Sequence, residues 1–255
     1  MSGLNNPRSN LLSFLETVTS LVDAKENVDA IYLDLAKAFD KVPHRRLMLK
    51  LEAHGIGGLV SNWIRSWLTD RRQRVIVDGS HSQWKEVCSG VPQGSVLGPV
   101  LFLIFINDLD QGISSRVLKF ADDTKLYCSV SNQADSMRLQ KDLHTVTEWA
   151  SRWQMQFNVK KCKVVHYGKG NPGFSYSMEG HCLENVDYEK DLGVVMSKDL
   201  KVAHQCQESY SKANRMLGLI SRTIKYKNPV VLLNLYIKSM VRPHLEYCCT
   251  VWSPY

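Results

Sequence analysis

Apolar residues recur along this chain with two periods, and the two alternate. Leu11, Leu15, Val18 and Val22, with Phe14 and Leu21 beside them, repeat at helical spacing and predict an amphipathic helix near the start. Val28 to Leu35 is a short, nearly continuous apolar run that ends in acid, the pattern of a buried strand. Pro43 is placed to open a helix that Gly55 closes, and Leu59/Val60, Trp63/Ile64 and Trp67/Leu68 predict a second helix with one apolar stripe. Arg74 to Asp78 and Trp84 to Cys88 flank an Asp78-Gly79 turn and predict a hairpin. Ser95 to Leu109 reads as a mostly buried helix. Val117 to Ala121 and Thr124 to Val130 read as strands joined at Asp122-Asp123. Leu139, Leu143, Val146, Ala150 and Trp153 mark another helix, Cys162 to Tyr167 a strand, and short strands run on to about Met196. After that the pattern is helical, with a break near Asn228-Pro229. This order of elements predicts an α+β fold with an antiparallel sheet, followed by a small helical unit.

Composition adds limits. With 255 residues, 44% hydrophobic and 22% charged, the chain has the make-up of an ordinary folded protein. Its seven cysteines are scattered and odd in number, which points to reduced thiols inside a cell. The spacing of Cys162, His166, His181 and Cys182 fits no standard zinc module. The longest apolar run, Val96 to Ile106, contains Gly98 and Pro99 and is too short to cross a bilayer, so no membrane partner is expected. Charge is unevenly placed. Residues 197–255 hold nine Lys and Arg against three Asp and Glu, a surplus of six out of a total of +7. Such a segment either grips a polyanion or presents a solvated basic face.

Three features carry candidate chemistry. Asp122 and Asp123 are adjacent carboxylates in an apolar hairpin; they form either an exposed acidic turn or a site for a hard divalent cation that relieves their repulsion. Asp34 ends the first buried strand and faces the pair if the two strands are neighbours. The Gly- and Pro-rich run Ser89 to Pro99 is a shaped loop entering a helix, where backbone can approach a ligand closely. Arg65, Arg71, Arg72 and Arg74 form a local basic cluster, suited to backbone phosphate or to solvent.

In order along the chain, LDLAKAFDKVPH, SGVPQGSVLGPVLFLIFINDL and FADDTKLY resemble the three central palm motifs of reverse transcriptases, with 88 residues from Asp34 to Asp122. The wording is most similar to the LINE-type, jockey-like enzymes of non-LTR retrotransposons. Asn6 to Leu15 resembles the tail of a fingers motif, Asn158 to Lys163 the next palm motif, and Leu192-Gly193-Val194 the primer-grip hairpin. The resemblance implies a right-hand polymerase palm with partial fingers over residues 1–196 and a helical thumb, whole or cut short, over 197–255. It implies an RNA-directed DNA polymerase (a nucleotidyltransferase) that uses an RNA template, a DNA primer and deoxynucleoside triphosphates inside the cell, in nucleus or cytoplasm.

Carried over by position, Asp34, Asp122 and Asp123 match the catalytic carboxylates. With the main-chain carbonyl of Leu35 they match the ligands of two Mg²⁺ ions, for which Mn²⁺ can substitute. Phe39 matches the gate that excludes a ribose 2′-hydroxyl. Gln93 and Gly94 match the pocket for the incoming nucleotide and template. Lys161, or Lys160 if the alignment slides by one, matches a lysine that serves the triphosphate or donates a proton. The chain begins within the fingers of this pattern, so weak activity or none is expected of it alone. A silent remnant that only binds nucleic acid is the alternative. An RNA-templated RNA polymerase, which Phe39 opposes, and an intron maturase are further ones.

Overall fold

Asn6 caps the first helix by accepting a hydrogen bond from the Ser9 amide at 2.8 Å, and Pro7 follows at its first position. The structure is a computed structural model that describes residues 6–226 and 228–253. In that helix (α1, Pro7–Asp23) Leu11, Phe14 and Val18 are buried. The chain continues through β1 (Val28–Leu33), a single turn α2 (Ala38–Lys41), α3 (His44–Ala53) and α4 (Gly58–Leu68). Two short ladders follow, β2 (Arg72–Gln73) with β5 (Lys85–Glu86) and β3 (Ile76–Val77) with β4 (Ser80–His81). Next come α5 (Leu97–Ile106), β6 (Arg116–Phe120), β7 (Asp123–Ser129), α6 (Gln133–Trp153) and β8 (Lys163–Tyr167).

The principal sheet has the order β11-β8-β1-β7-β6, where β11 is Glu184–Asn185. It is antiparallel except where β11 runs parallel to β8. Every residue of β1 is buried, because the sheet is covered on both faces. Ile31, Leu33, Leu126 and Val164 pack with α3, α5 and α6. Val28, Ala30, Tyr32, Tyr127, Val165 and Tyr167 pack on the other face against Phe14 and Val18 of α1. The polar residue in β1, Asp29, is fully buried and satisfied by His166 Nδ1 at 2.7 Å, Asn171 Nδ2 at 2.8 Å and the Tyr176 hydroxyl at 2.5 Å.

Four expectations need adjusting. The first strand ends at Leu33, not Leu35; beyond it Leu35 makes only an isolated bridge to Phe157. The hairpin around Asp78-Gly79 does turn there, but its strands break into two short, exposed ladders instead of running from Arg74 and to Cys88. On α4 the apolar stripe is only half used. Ile64 and Leu68 are buried, whereas Leu59, Val60 and Trp63 face solvent. Finally, the carboxylate turn is shifted by one residue, as described below.

Past β8, β9 (Ser177–Met178) pairs with β10 (His181–Cys182), and β12 (Tyr188–Asp191) pairs with β13 (Val194–Ser197) as a separate two-stranded hairpin. The rest is helical: α7 (Ala203–Thr223), α8 (Pro229–Leu233), a π-helical turn (Asn234–Met240), α9 (Arg242–Glu246) and α10 (Cys249–Trp252). The break falls where the sequence places it, with Asn228 Oδ1 accepting from the Val230 amide at 2.9 Å. The end of the chain returns to its beginning, as Cys248 and Val251 join Leu11, Val194 and Met196 in one cluster. Among the described residues no helix is long and apolar enough to cross a membrane.

Candidate active site at the carboxylate hairpin

β6 and β7 are joined by the two-residue turn Ala121-Asp122, with Phe120 paired to Asp123. Ala121 takes a positive φ of 53°, as a tight hairpin turn demands. Asp123 is thus the first residue of a ladder and not part of the loop. β1 pairs with β7 with Leu33 opposite Thr124, so the register continued by one residue sets Asp34 opposite Asp123, and Asp122 sits on the turn above them. Partial burial raises the pKa of Asp123 to about 6, helped by the charges of Asp122, Asp191 and Asp34 and opposed by Lys125.

These strand ends open into a cavity of about 390 Å³. Asp34 and Asp123 line it, with Lys160, Lys161, Asp191 and Leu192 from distant segments of the chain. Lys161 Nζ lies 3.1 Å from Asp34 Oδ2. Lys160 also lines the cavity, but the ion pair to Asp34 belongs to Lys161. The Asp34 carbonyl accepts from the Asn158 amide and the Ala36 amide donates to Gln156, leaving the Leu35 carbonyl outside that bridge. The turn Leu192-Gly193 reaches the same cavity, and both of its residues have positive φ, 45° and 87°.

The other site residues lie on a neighbouring element. Phe39, on α2, stacks on Phe102 at 4.5 Å between ring centroids and is half-buried at the margin of the core; it does not line the cavity. Gln93 donates from Nε2 to Asp40 Oδ1 at 3.1 Å. The loop that carries it is seated on α2. The Gly90 amide donates to the Val42 carbonyl, and a Cβ on Gly90 would lie 2.6 Å from the Asp40 carbonyl oxygen, so the loop's close approach needs glycine. Gly94 has φ of 80° and open space around it.

Among the described residues no group of three His, Cys, Asp or Glu is gathered closely enough to hold a metal ion. This applies to the cysteine and histidine set as well as to the acids. Cys162 is buried, His166 is bound to Asp29, and Cys182 is exposed. Within the basic cluster, Arg65 approaches Glu52 at 4.0 Å, and Arg74 lies over Trp84 at 4.6 Å.

Sequence reasoning missed Lys125 and Asp191. Both are buried, and Lys125 Nζ is bonded to Asp191 Oδ2. Burial lowers the lysine's pKa and raises the aspartate's, each partly offset by the other. It also missed Tyr247, whose hydroxyl donates to the Leu192 carbonyl at 2.9 Å. No sequence signal joins positions 66 residues apart, and the tyrosine lies in a segment read only as helical.

Residues 3–226 match the family model described as reverse transcriptase (RNA-dependent DNA polymerase). The chain is 29% identical to the RNA-directed DNA polymerase from mobile element jockey of Drosophila melanogaster, over 91% of this chain and 26% of that protein. It is 30% identical to a probable RNA-directed DNA polymerase from transposon BS of the same fly, over 91% of this chain and 27% of that one. It therefore spans about a quarter of the length of these relatives. Among solved structures, the telomerase from Candida Tropicalis, in complex with a fragment of telomeric RNA, shares the fold. Its TM-score is 0.50 at 14% identity, covering 89% of this chain and 35% of that one. The chain belongs to the reverse transcriptase family of RNA-dependent DNA polymerases, and within it resembles the enzymes of jockey-type non-LTR retrotransposons.

Proposed function

We propose that this chain carries the palm and thumb of an RNA-directed DNA polymerase and adds deoxynucleotides to a primer 3′-end on an RNA template. One observation carries the reading: Asp34, Asp123, Lys161 and Leu192, drawn from four separate segments, line one cavity.

The donor chemistry suits a hard divalent cation. Asp34, Asp122 and Asp123 supply carboxylate oxygens; burial first, and then the neighbouring acids, raises the pKa of Asp123, and a hard cation offsets both effects. Asp34, Asp122, Asp123 and the Leu35 carbonyl are the groups that would hold Mg²⁺. Two bound ions would stabilise the attacking and leaving oxygens of phosphoryl transfer.

The remaining roles belong to the protein's own groups. Lys161 stands at Asp34, within reach of a triphosphate entering the cavity, and there neutralises its charge or donates a proton to the leaving group. Leu192-Gly193-Val194 holds the primer end where Leu192 lines the same cavity. Phe39, on α2 outside the lining of that cavity, is the residue we assign to gating the nucleotide sugar, and Gln93 and Gly94 are assigned to the template side from the loop seated on α2. Residues 197–255 form the thumb. Among the described residues Arg215, Arg222, Lys225 and Lys238 have no ion-pair partner there and are free to meet duplex phosphates.

A second reading is a chain that binds template–primer without turnover. It is favoured by the acids' not being drawn together as a metal cluster. Primer extension under single-turnover conditions separates the two. Templated deoxynucleotide addition that stops on chelation of Mg²⁺ supports the polymerase. Binding without extension by the folded protein selects the second reading.

A further inference from the structure

We infer that the buried Lys125–Asp191 ion pair sets the height of the primer-holding turn above the catalytic carboxylates. The inference rests on reading Leu192 to Val194 as that turn. The pair lies between the two halves of the site. Lys125 is two residues from Asp123 on β7, and Asp191 immediately precedes Leu192 on β12.

The hairpin β12–β13 is not part of the principal sheet. Its base is attached through the Val186 amide, which donates to the Val164 carbonyl at 2.9 Å, but among the described residues no backbone ladder fixes its turn end to β7. Among the described residues the bond between Lys125 and Asp191 is the polar link from that turn end to the sheet. The lysine cannot wander. It is 4% exposed, the aspartate is 6% exposed, and the ring of Phe14 on α1 lies 4.5 Å from the lysine Nζ.

Stability alone does not account for such a pair. Desolvating two charges costs about as much as their attraction returns, and well-packed apolar replacements are often as stable or more so. What a buried pair adds is a single allowed register, since any sliding of the hairpin leaves both charges buried and unpaired. The turn is also held from outside. Tyr247 donates to the Leu192 carbonyl, and its ring lies 2.9 Å from where a Gly193 Cβ would stand. Pinned on both sides, the turn has one position relative to Asp34 and Asp123.

The test compares the full chain with the apolar double variant Lys125→Met/Asp191→Leu and the reversed pair Lys125→Asp/Asp191→Lys. Each is checked for cooperative unfolding. The readouts are single-turnover extension and photocrosslinking from a 4-thiothymidine at the primer 3′-end. We expect the apolar double variant to fold and to bind template–primer as the parent does. It should lose crosslinks to residues 191–194 and extend roughly tenfold to a hundredfold more slowly, the cost of a misplaced reacting group. The reversed pair should recover part of both. Unchanged crosslinks and rate in the apolar variant overturn the inference and leave the pair a packing feature. A parent that extends primers but gives no crosslink at 191–194 overturns it as well, through the reading of the turn, while leaving the polymerase intact. If the parent crosslinks at the turn without extending, the polymerase reading fails, and the crosslinks alone decide for or against the register.

Discussion

Lys161 Nζ lies 3.1 Å from Asp34 Oδ2 and places a cation on one of the three acids of the site. The lysine side chain is 68% exposed, so the pair contributes little to stability, at most about 1 kcal/mol. Lys161→Ala should therefore leave the urea midpoint nearly unchanged and still slow extension, with the larger effect on nucleotide use. Lys160→Ala should slow it less. Equal effects of the two substitutions would remove the distinction between the lysines.

Phe39→Val bears on sugar selection. The ring stacks on Phe102, so its loss should destabilise the protein by roughly 1–3 kcal/mol whether or not it is a gate. If it is the gate, ribonucleotide incorporation relative to deoxynucleotide should rise on the order of tenfold, the range one steric contact commands. Incorporation ratios measured with paired nucleotides decide it. Lower stability with an unchanged ratio would make Phe39 a core residue only.

Asp142 offers a pH test of the scaffold. Burial works to raise its pKa, but hydrogen bonds from the hydroxyls and amides of Ser115 and Ser114 override it and hold the carboxyl below its usual value. A depressed folded pKa gives stability that is present above the unfolded value and lost as pH falls through the folded one. Asp142→Ala should cost about 1–3 kcal/mol near neutral pH. That difference should shrink in acid below the ordinary aspartate range. Urea midpoints taken across pH give the comparison, and a gap that stays constant into strong acid would contradict it.

Deleting residues 197–255 is a poor test of their charge, because Cys248 and Val251 help to cover Leu11, Val194 and Met196. Neutralising Arg215, Arg222, Lys225 and Lys238 to Gln keeps that packing. Binding to template–primer should weaken, and the slope of log affinity against log salt should become shallower by roughly 0.9 for each phosphate that is no longer neutralised. An unchanged slope would mean that these residues face solvent.

Much of the sheet was legible because its strands are buried on both faces and announce themselves as short apolar runs; Val28 to Leu33 is the clearest case. Asp34 and the paired aspartates could be located for the same reason, since acids at the ends of such runs stand out. The one-residue shift at Ala121-Asp122 was not legible. It depends on Ala121, an ordinary residue, accepting a positive φ so that Asp123 can enter the ladder. The exposed half of the α4 stripe was missed because periodicity says which residues share a face, not how much of that face is covered. Lys125–Asp191 and Tyr247–Leu192 are tertiary meetings between distant polar groups, for which a single sequence carries no period or motif.

In the proposed polymerase, Asp122 and its neighbours are the catalytic acids. Asn in place of Asp122 keeps the shape of the turn and removes the charge. The decisive measurement is single-turnover extension of a DNA primer on an RNA template with Mg²⁺ and deoxynucleotides, by the parent and by Asp122→Asn, both shown to unfold at the same urea concentration. Slow, template-directed extension by the parent and none by the variant is the expected result. Extension by Asp122→Asn at the parent's rate would contradict it.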